Sequence, residues 1–348
     1  MDATTQTTQA AATSTVEPKT KMYRLRETFN LPDVPEAAEI PGFEPGLPGV
    51  PKVKPYVFDK ERLRQLTMFY IGGFRALMLE GDPSAGKTSF VDQFHARMNI
   101  PLHKVPCSAS TTAQQLIGQF LPNPETGKLV WIPGPVTRAA LDGTSVLLDE
   151  WNLVDPGEAG GVNMLLEGYS WTIPETGEII VPKRTTRFFA TQNAADSKAL
   201  VAGRNLHDVA SEDRWSYMEV DFLDPVLEQN LIVNELVEGR IPQQLATHFA
   251  QICVQVANKV RRAFRGEDET DPQLVALADA IDKPLSTRAV SRWAKYAVMY
   301  TGVFKANKEQ RSGLHYGIRQ AVRMSPTMAM AVNDMITIVA GFDERTAS

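Results

Sequence analysis

An eight-residue segment, GDPSAGKT at residues 81–88, restricts the fold of this chain more than any other feature of its sequence. It fits the pattern G-x-x-x-x-G-K-[ST] and follows the apolar run ALMLE. After it, Phe90, Phe94 and Met98 recur with helical spacing. In a strand–turn–helix setting, the backbone N–H groups of such a turn surround phosphate oxygens, and the helix N-terminus adds its positive dipole end. The segment therefore predicts a nucleotide-binding loop between a buried strand and a helix.

Two side chains of this loop have predicted roles of their own. We expect Lys87 to reach the β- and γ-phosphates of ATP and the Thr88 hydroxyl to hold Mg²⁺. A chance match of the pattern is the alternative, and the strand before it and the helix after it argue against chance.

Four further apolar runs follow the loop and alternate with helical stretches: KVPCS, TSVLLDE, RFFATQN and YMEVDF. Strand and helix in alternation predict a parallel sheet covered on both faces. We place this α/β nucleotide-binding domain at residues 59–224, with Asp59 as the N-cap of its first helix.

After Asp224 the sequence shows helical patterns only, so we expect residues 225–348 to form a smaller all-α domain. Its longest segment, residues 242–264, predicts a single apolar stripe made of Leu245, Phe249, Ile252, Val256 and Val260.

Residues 1–58 lack both patterns, apart from the short amphipathic piece YRLRETF at residues 23–29, which predicts a turn or two of helix. The opening is rich in Thr, Ala and Gln, and we interpret it as disordered. It shows no secretory signal. In residues 31–55, frequent proline and glycine rule out regular helix or central strand. We interpret this segment as a semi-extended strap, either free or laid along a surface, and a plain linker is the favoured interpretation.

Composition excludes several classes of protein. The net charge of −5 argues against a chain that mainly grips nucleic-acid phosphates. Two distant cysteines, Cys107 and Cys253, suit the reducing cytoplasm, and the scattered histidines argue against bound zinc. No run approaches the roughly 18 apolar residues that span a bilayer.

The run SVLLDE ends in a pair of acids, Asp149 and Glu150. A buried strand would place Asp149 at its carboxyl end beside the metal, where α/β sheets bind ligands. Glu150 could then polarise the attacking water as a general base. Two acids that merely cap the next helix are the weaker alternative, because a phosphate loop upstream needs an acidic partner. The predicted nucleotide contacts are thus Gly81, Asp82, Pro83, Ser84, Ala85, Gly86, Lys87, Thr88 and Asp149, with Thr88 and Asp149 holding the metal.

Three more polar residues lie at the ends of predicted strands or helices and are candidates for the site. Asn193 ends the strand FFATQN and could orient the water from the opposite side, although on its own it also fits a turn. Arg214 in SEDRW precedes the last strand, and Arg288 in PLSTRAV opens a helix of the second domain. Either arginine fits a surface ion pair, but transfer of a γ-phosphate needs a cation, which a neighbouring subunit can supply.

This order of motifs resembles that of the AAA+ ATPases, within them the MoxR group, and most of all the CobS-type ATPase subunit of aerobic cobaltochelatase. The resemblance extends from about Arg26 to the C-terminal helices and includes RETFNLPDV and IPGF. The segments GDPSAGKT, LLDEWN, FFATQN, EDRW and LSTRAV fall where the family keeps Walker A, Walker B, sensor 1, the arginine finger and sensor 2.

The resemblance implies roles for four residues. Asn193 is then sensor 1, Arg288 is sensor 2, and Arg214 is the finger offered to a neighbouring subunit, with Arg204 as a fallback.

One departure lies in the loop, where the family usually has G-P-P-G-T-G-K-[ST]. Asp82 and Ser84 replace proline and glycine. Because both obligatory glycines and Lys87 remain, we expect nucleotide binding to survive.

The residues PETG occur twice, in NPETGKLVWIPGP from Asn123 and in IPETGEIIVP from Ile173. This sequence suits a type I turn closed by a glycine with positive φ, a common hairpin tip. Nothing around the copies matches further, so we expect two hairpins and no internal repeat. Turn chemistry alone favours two ordinary surface hairpins. The resemblance implies the two hairpin insertions of the MoxR group, which face the pore of a ring and touch the substrate.

The leading hypothesis from these observations is an ATP-hydrolysing ring, a hexamer, that remodels or activates a protein partner. The resemblance implies a VWA-type partner and leaves two targets open, cobalt insertion into a corrin ring or the maturation of another enzyme. One alternative is a DNA-associated motor or loader whose stretches KVRRAFR and VPKRTTR contact phosphates, although solvated helix faces explain them equally well. The other is a nucleotide-gated scaffold, against which the presence of both Glu150 and Asn193 argues.

Overall fold

The computed structural model of the protein describes residues 19–174, 176–193, 212–267, 279–303 and 312–340. Its strands, numbered in chain order, are β1 Thr20–Arg24, β2 Glu39–Phe43, β3 Ala76–Gly81, β4 Leu102–Pro106, β5 Gly118–Pro122, β6 Leu129–Pro133, β7 Ser145–Asp149, β8 Trp171–Thr172, β9 Ile179–Ile180, β10 Arg187–Asn193 and β11 Ser216–Glu219.

The α-helices, numbered in the same way, are α1 Leu25–Thr28, α2 Lys60–Ile71, α3 Lys87–Met98, α4 Ala113–Ile117, α5 Pro135–Asp142, α6 Pro156–Ala159, α7 Asn163–Leu166, α8 Pro225–Glu238, α9 Gln243–Arg265, α10 Thr287–Val303, α11 Gly313–Ala321 and α12 Pro326–Ala340. Short 3-10 turns occupy Trp151–Leu153 and Gly160–Val162. None of the described helices is both long enough and apolar enough to cross a membrane.

A five-stranded parallel sheet forms the centre of the α/β region, with the strand order β11-β3-β10-β7-β4. All five strands predicted from the apolar runs are in it, and the predicted α/β class is confirmed. Alternate residues of β3 face opposite sides: Leu77 and Leu79 join a cluster with α2 and α3, whereas Ala76 and Met78 join one with α4, α5 and α7. The sheet is therefore covered on both faces, as parallel sheets require.

The N-terminal strap packs on the first of these clusters. β1 and β2 form an antiparallel pair, and Ile40, Phe43 and Phe58 are almost completely buried beside Phe90 and Phe94 of α3. This differs from a plain linker. The prolines do exclude a central strand, but isolated apolar residues between them fill the surface of α3. Residues 1–18 lie outside the described part of the chain, so their predicted disorder stays a prediction.

The chain forms a β-hairpin around each PETG segment, which confirms the two predicted hairpins; residue 175 of the second one lies outside the described residues. β5 pairs with β6 from Gly118 opposite Pro133 to Pro122 opposite Leu129, and β8 pairs with β9 over two residues. The closing glycines have positive φ, 67° at Gly127 and 72° at Gly177. The second hairpin has much shorter strands than the first, which agrees with two separate insertions.

The helices after Asp224 pack on one another around a core of their own, which confirms the predicted all-α region. The Asp224 side chain caps α8 by accepting the N–H of Val226 at 2.9 Å. In α9, four of the five predicted stripe residues are buried. Leu245, in the first turn of the helix, is 36% exposed. The domain boundaries at 58/59 and 224/225 stay predictions.

A buried histidine on α3 makes the stability of the α/β region sensitive to pH. The Nε2 atom of His95 lies 3.1 Å from the Tyr70 hydroxyl, its Nδ1 lies 2.7 Å from the Val91 carbonyl oxygen, and its ring meets Phe189 edge-on. Complete burial lowers the pKa of His95 to about 4, against 6.5 for the free side chain. The folded protein thus keeps this imidazole neutral at a pH where the unfolded chain protonates it.

We expect the His95 contribution to be fully present above about pH 6.5 and to disappear as the pH falls toward 4, a loss of ~3 kcal/mol in the free energy of unfolding. Chemical denaturation of the wild type and of His95→Gln across this range measures it, and the variant should show the flatter profile. His248→Gln, on an exposed part of α9, is the matched control. Parallel profiles for the wild type and His95→Gln would contradict the assignment.

Candidate active site

The carboxyl ends of three neighbouring strands bring the predicted residues together. Gly81 at the end of β3 pairs with Asn193 at the end of β10, and β7, the next strand, ends at Asp149. Because the strands are parallel, their carboxyl ends share one edge of the sheet, the edge at which α/β folds bind ligands.

The loop between β3 and α3 has the backbone that a phosphate-binding turn needs. Gly81 lies so close to β11 that a Cβ atom there would stand 2.1 Å from the Val220 carbonyl oxygen. Gly86, the N-cap of α3, has φ of 99°. Ser84 has φ of 66°, so this serine keeps the left-handed conformation that glycine supplies in the usual family pattern. Serine at this position is therefore compatible with a left-handed backbone in the loop.

Lys87 lies inside this loop and is almost completely buried, with 7% of its surface exposed. Its ammonium group donates to the carbonyl oxygens of Gly81 at 2.8 Å and Asp82 at 2.9 Å, and to Oδ1 of Asn193 at 3.0 Å. A buried charge is tolerated only with such hydrogen bonds. The ammonium group is thus directed at the space that the loop encloses.

Asp149 accepts two hydroxyl hydrogen bonds on the same oxygen, Oδ1. One comes from Thr88 at 2.7 Å and the other from Thr191 at 2.6 Å. The Thr191 hydroxyl also accepts the backbone N–H of Glu150 at 3.0 Å. Thr191 therefore fixes both acids, and the sequence analysis missed it. Its signal was the two-residue spacing from Asn193, which puts both side chains on one face of β10.

Glu150 has an unusual backbone, with φ of 61°. For a residue with a Cβ this left-handed conformation costs roughly 1–2 kcal/mol, and such strain is concentrated at functional sites. Its Oε2 atom lies 3.4 Å from the side-chain nitrogen of Asn193. Asn193 thus connects Lys87 and Glu150, and its side chain belongs to the site rather than to a turn alone.

A cavity of about 780 Å³ opens in front of this cluster, between the loop and the helical region. Its helical wall includes the predicted Arg288 and, one turn later on α10, Arg292, which the sequence analysis missed. Three other wall residues contact one another: Glu235 accepts a hydrogen bond from the Ser291 hydroxyl and forms an ion pair with Lys295 at 3.3 Å.

The N-terminal strap supplies a further wall of the cavity, through residues 55–57. Tyr56 stacks edge-on against Phe58 at 4.7 Å, and burial raises the pKa of its hydroxyl to about 12. Arg62 of α2 lines the cavity and donates to the Phe222 carbonyl oxygen at 2.9 Å. Nothing in the local sequence pattern pointed to these residues, because the strap reaches the site only through its packing on α3.

Arg214 lies apart from the cluster. Its Nε atom forms an ion pair with Glu167 Oε1 at 3.3 Å, its side chain is 26% exposed, and it is not among the described residues that line the cavity. The fallback candidate, Arg204, lies outside the described residues. Within one chain, therefore, the structure does not bring Arg214 to the loop.

The chain is similar in sequence to several known proteins. Midasin of Giardia intestinalis is 29% identical over 187 residues, which are 53% of this chain and 4% of midasin. Protein NorQ of Paracoccus denitrificans is 30% identical over 164 residues, 46% of this chain and 57% of NorQ. The aerobic cobaltochelatase subunit CobS of a Sinorhizobium species is 25% identical over 286 residues, 79% of this chain and 80% of CobS.

The chain thus spans only a few per cent of the midasins that it matches, 4% of one and 3% of another, and most of the length of CobS. A family model described as the AAA domain of the dynein-related subfamily matches residues 76–275, more than half of the chain. This match covers the phosphate-binding loop, both acids and Asn193. The chain belongs to the dynein-related subfamily of AAA domain proteins, as an AAA+ ATPase of the MoxR type.

Proposed function

We propose that this AAA+ protein assembles into a ring, a hexamer, in which ATP hydrolysis remodels or activates a protein partner. The main support is the convergence of Lys87, Thr88, Asp149, Glu150 and Asn193 on one cavity between the α/β core and the helical region. The cavity is thus lined by a loop that can bind phosphate, by two acids, and by residues of the helical region.

Each residue of the site has its own role in the proposed hydrolysis. Loop N–H groups and Lys87 bind the β- and γ-phosphates, and Glu150 orients the attacking water and takes its proton. Asn193, whose amide is in reach of Glu150, holds that carboxylate in place and contacts the water from the other side. Arg288 lies on the opposite wall, where its charge can follow the γ-phosphate and move the helices of the lid.

The Thr88 hydroxyl and the Asp149 carboxylate would hold Mg²⁺. A hydroxyl and a carboxylate oxygen, 2.7 Å apart, are the hard oxygen ligands that Mg²⁺ prefers. Among the described residues no group of three or more His, Cys, Asp or Glu could hold a metal, so the remaining ligands are phosphate and water oxygens. When bound, Mg²⁺ neutralises charge on the β- and γ-phosphates.

The β5–β6 hairpin is the surface that we assign to the protein partner. It exposes large apolar side chains on a projecting element, namely Phe120, Leu121, Leu129, Val130 and Ile132. The name of one relative, an aerobic cobaltochelatase subunit, suggests a partner that is part of a chelatase. We propose a VWA-domain partner in the cytoplasm, where two buried free thiols, Cys107 and Cys253, stay reduced.

A nucleic-acid motor is less well supported. In KVRRAFR, Arg261 is buried in an ion pair with Glu228 at 2.7 Å, and Arg265 pairs with Asp82 and Asp221. In VPKRTTR, Arg187 lies over the Tyr70 ring and donates to two backbone carbonyl oxygens. These arginines stabilise the fold through contacts within the chain. They are therefore not available to bind phosphates, and much of the basic surface that a nucleic acid would need is lost.

Removal of the loop lysine tests the proposed site. We expect Lys87→Ala to weaken binding of a fluorescent ATP analogue at least ~100-fold, because charge-assisted hydrogen bonds to two phosphates are lost. Equilibrium titration of the purified full chain measures this. Lys104→Ala, which removes a half-exposed lysine paired with Asp92, is the matched control. Unchanged affinity in Lys87→Ala would rule out this loop as the nucleotide site.

A further inference from the structure

An arginine of the helical region reaches into the phosphate-binding loop. Arg265, the last residue of α9, donates from Nε to Asp82 Oδ2 at 2.6 Å. It also donates to Asp221, with one hydrogen bond at 3.3 Å and one shorter, and to Glu267 at 3.3 Å. The Asp82 side chain is 10% exposed and the Arg265 side chain 29% exposed. The pair is therefore largely shielded from solvent, unlike an ordinary surface ion pair.

The surroundings of Arg265 hold it in this position. Its guanidinium lies 5.6 Å from the centre of the Phe222 ring, and Arg261, one turn earlier on α9, lies 4.2 Å from the same ring. Hydrogen bonding to Asp221, the largest influence, raises the pKa of the Arg265 guanidinium above its ordinary value, so that it stays charged. Arg265 thus joins three parts of the molecule: the loop, the segment between β11 and α8, and the end of α9.

The position of Asp82 makes this contact relevant to the nucleotide. Its backbone carbonyl accepts from the Lys87 ammonium at 2.9 Å, which places the residue next to the phosphate-binding cation. Pro83 to Thr88 line the cavity, but Asp82 is not among the lining residues, because its carboxylate is directed at Arg265. A carboxylate beside a polyphosphate repels it, so the loop can carry an acid here only if the charge is neutralised and held aside.

We propose that Arg265 is a positioning residue for nucleotide binding: it neutralises the Asp82 carboxylate and keeps it turned out of the phosphate site. The inference rests on the proposed function, since it assumes that ATP binds at this loop. It assigns a role to Asp82, one of the two residues by which this loop departs from the usual family pattern. It also makes nucleotide affinity depend on the position of α9.

The test is titration of the full chain with a fluorescent ATP analogue, with thermal unfolding without nucleotide as the check on folding. We expect Arg265→Ala to weaken binding ~10-fold, the effect of one uncompensated charge near the phosphates. The double variant Arg265→Ala with Asp82→Asn should return to within ~3-fold of the wild type, because the loop itself then carries no carboxylate beside the phosphates. Arg265→Lys keeps the charge but loses the guanidinium fork that joins Asp82 to Asp221, so it should weaken binding by ~3-fold; it serves if the alanine variant does not fold.

Two results would overturn the inference: undiminished affinity in Arg265→Ala, or a double variant that binds as weakly as the single one. The second result would assign Arg265 a purely structural role. Arg64→Ala, which removes an exposed arginine paired with Glu61, is the control. If Lys87→Ala also binds normally, the proposed site itself fails. If only Lys87→Ala is impaired, the site stands and the role of Arg265 does not.

Discussion

Replacement of Glu150 with Gln is expected to lower the ATP turnover number by ~10²–10⁴-fold while nucleotide affinity stays close to that of the wild type. Glutamine keeps the length of the side chain and the contact with Asn193, which lies 3.4 Å from Oε2. It cannot take a proton from water. Phosphate release at saturating ATP measures the first effect, and titration with a fluorescent analogue measures the second.

The control for this substitution is Glu61→Gln, an identical change on the exposed face of α2. Undiminished turnover in Glu150→Gln would remove this residue from its assigned role, and a loss of binding would show that the carboxylate holds the site together instead. A variant that binds ATP and does not hydrolyse it would also hold the proposed ring in its ATP-bound state. Affinity purification of this form with ATP would then identify the protein partner.

The placement of the predicted site residues was predictable because it follows from sheet order. Gly81, Asp149 and Asn193 each follow an apolar run, and parallel strands bring their carboxyl ends to one edge. Once the loop at 81–88 fixes the first strand, the ends of the neighbouring strands can only lie beside it. The structure places these residues as expected, although their chemical roles stay predictions.

The parts that sequence reasoning missed depend on contacts between distant residues. Asp82 and Arg265 are 183 positions apart, and no periodic pattern links them. Ile40 and Phe43 lie among prolines and glycines, so neither a helical nor a strand period marks them as buried. Thr191 is the exception among the missed residues, since strand alternation from Asn193 would have been enough to find it.

The second large effect concerns Arg214, which lies outside the cavity of its own chain. Its side chain pairs with Glu167 and is 26% exposed. If it stabilises the γ-phosphate, it must act on the site of a neighbouring subunit, as ring interfaces of the head-to-tail kind allow. We expect Arg214→Ala to lower the turnover number by ~10³–10⁵-fold with little change in nucleotide affinity, because the arginine acts only in the transition state.

Mixing two inactive variants separates action between subunits from action within one. Lys87→Ala subunits lack a working loop but keep Arg214, whereas Arg214→Ala subunits keep the loop. At equal amounts about a quarter of the interfaces in a randomly mixed ring combine an intact loop with an intact arginine, so activity should recover to a comparable fraction of the wild type. Mixtures of Lys87→Ala with Glu150→Gln, both defective on the loop side, should recover none. If the first mixture stays inactive at every ratio while rings still form, Arg214 does not complete a neighbour's site. Its ion pair with Glu167 then serves only to stabilise the single chain.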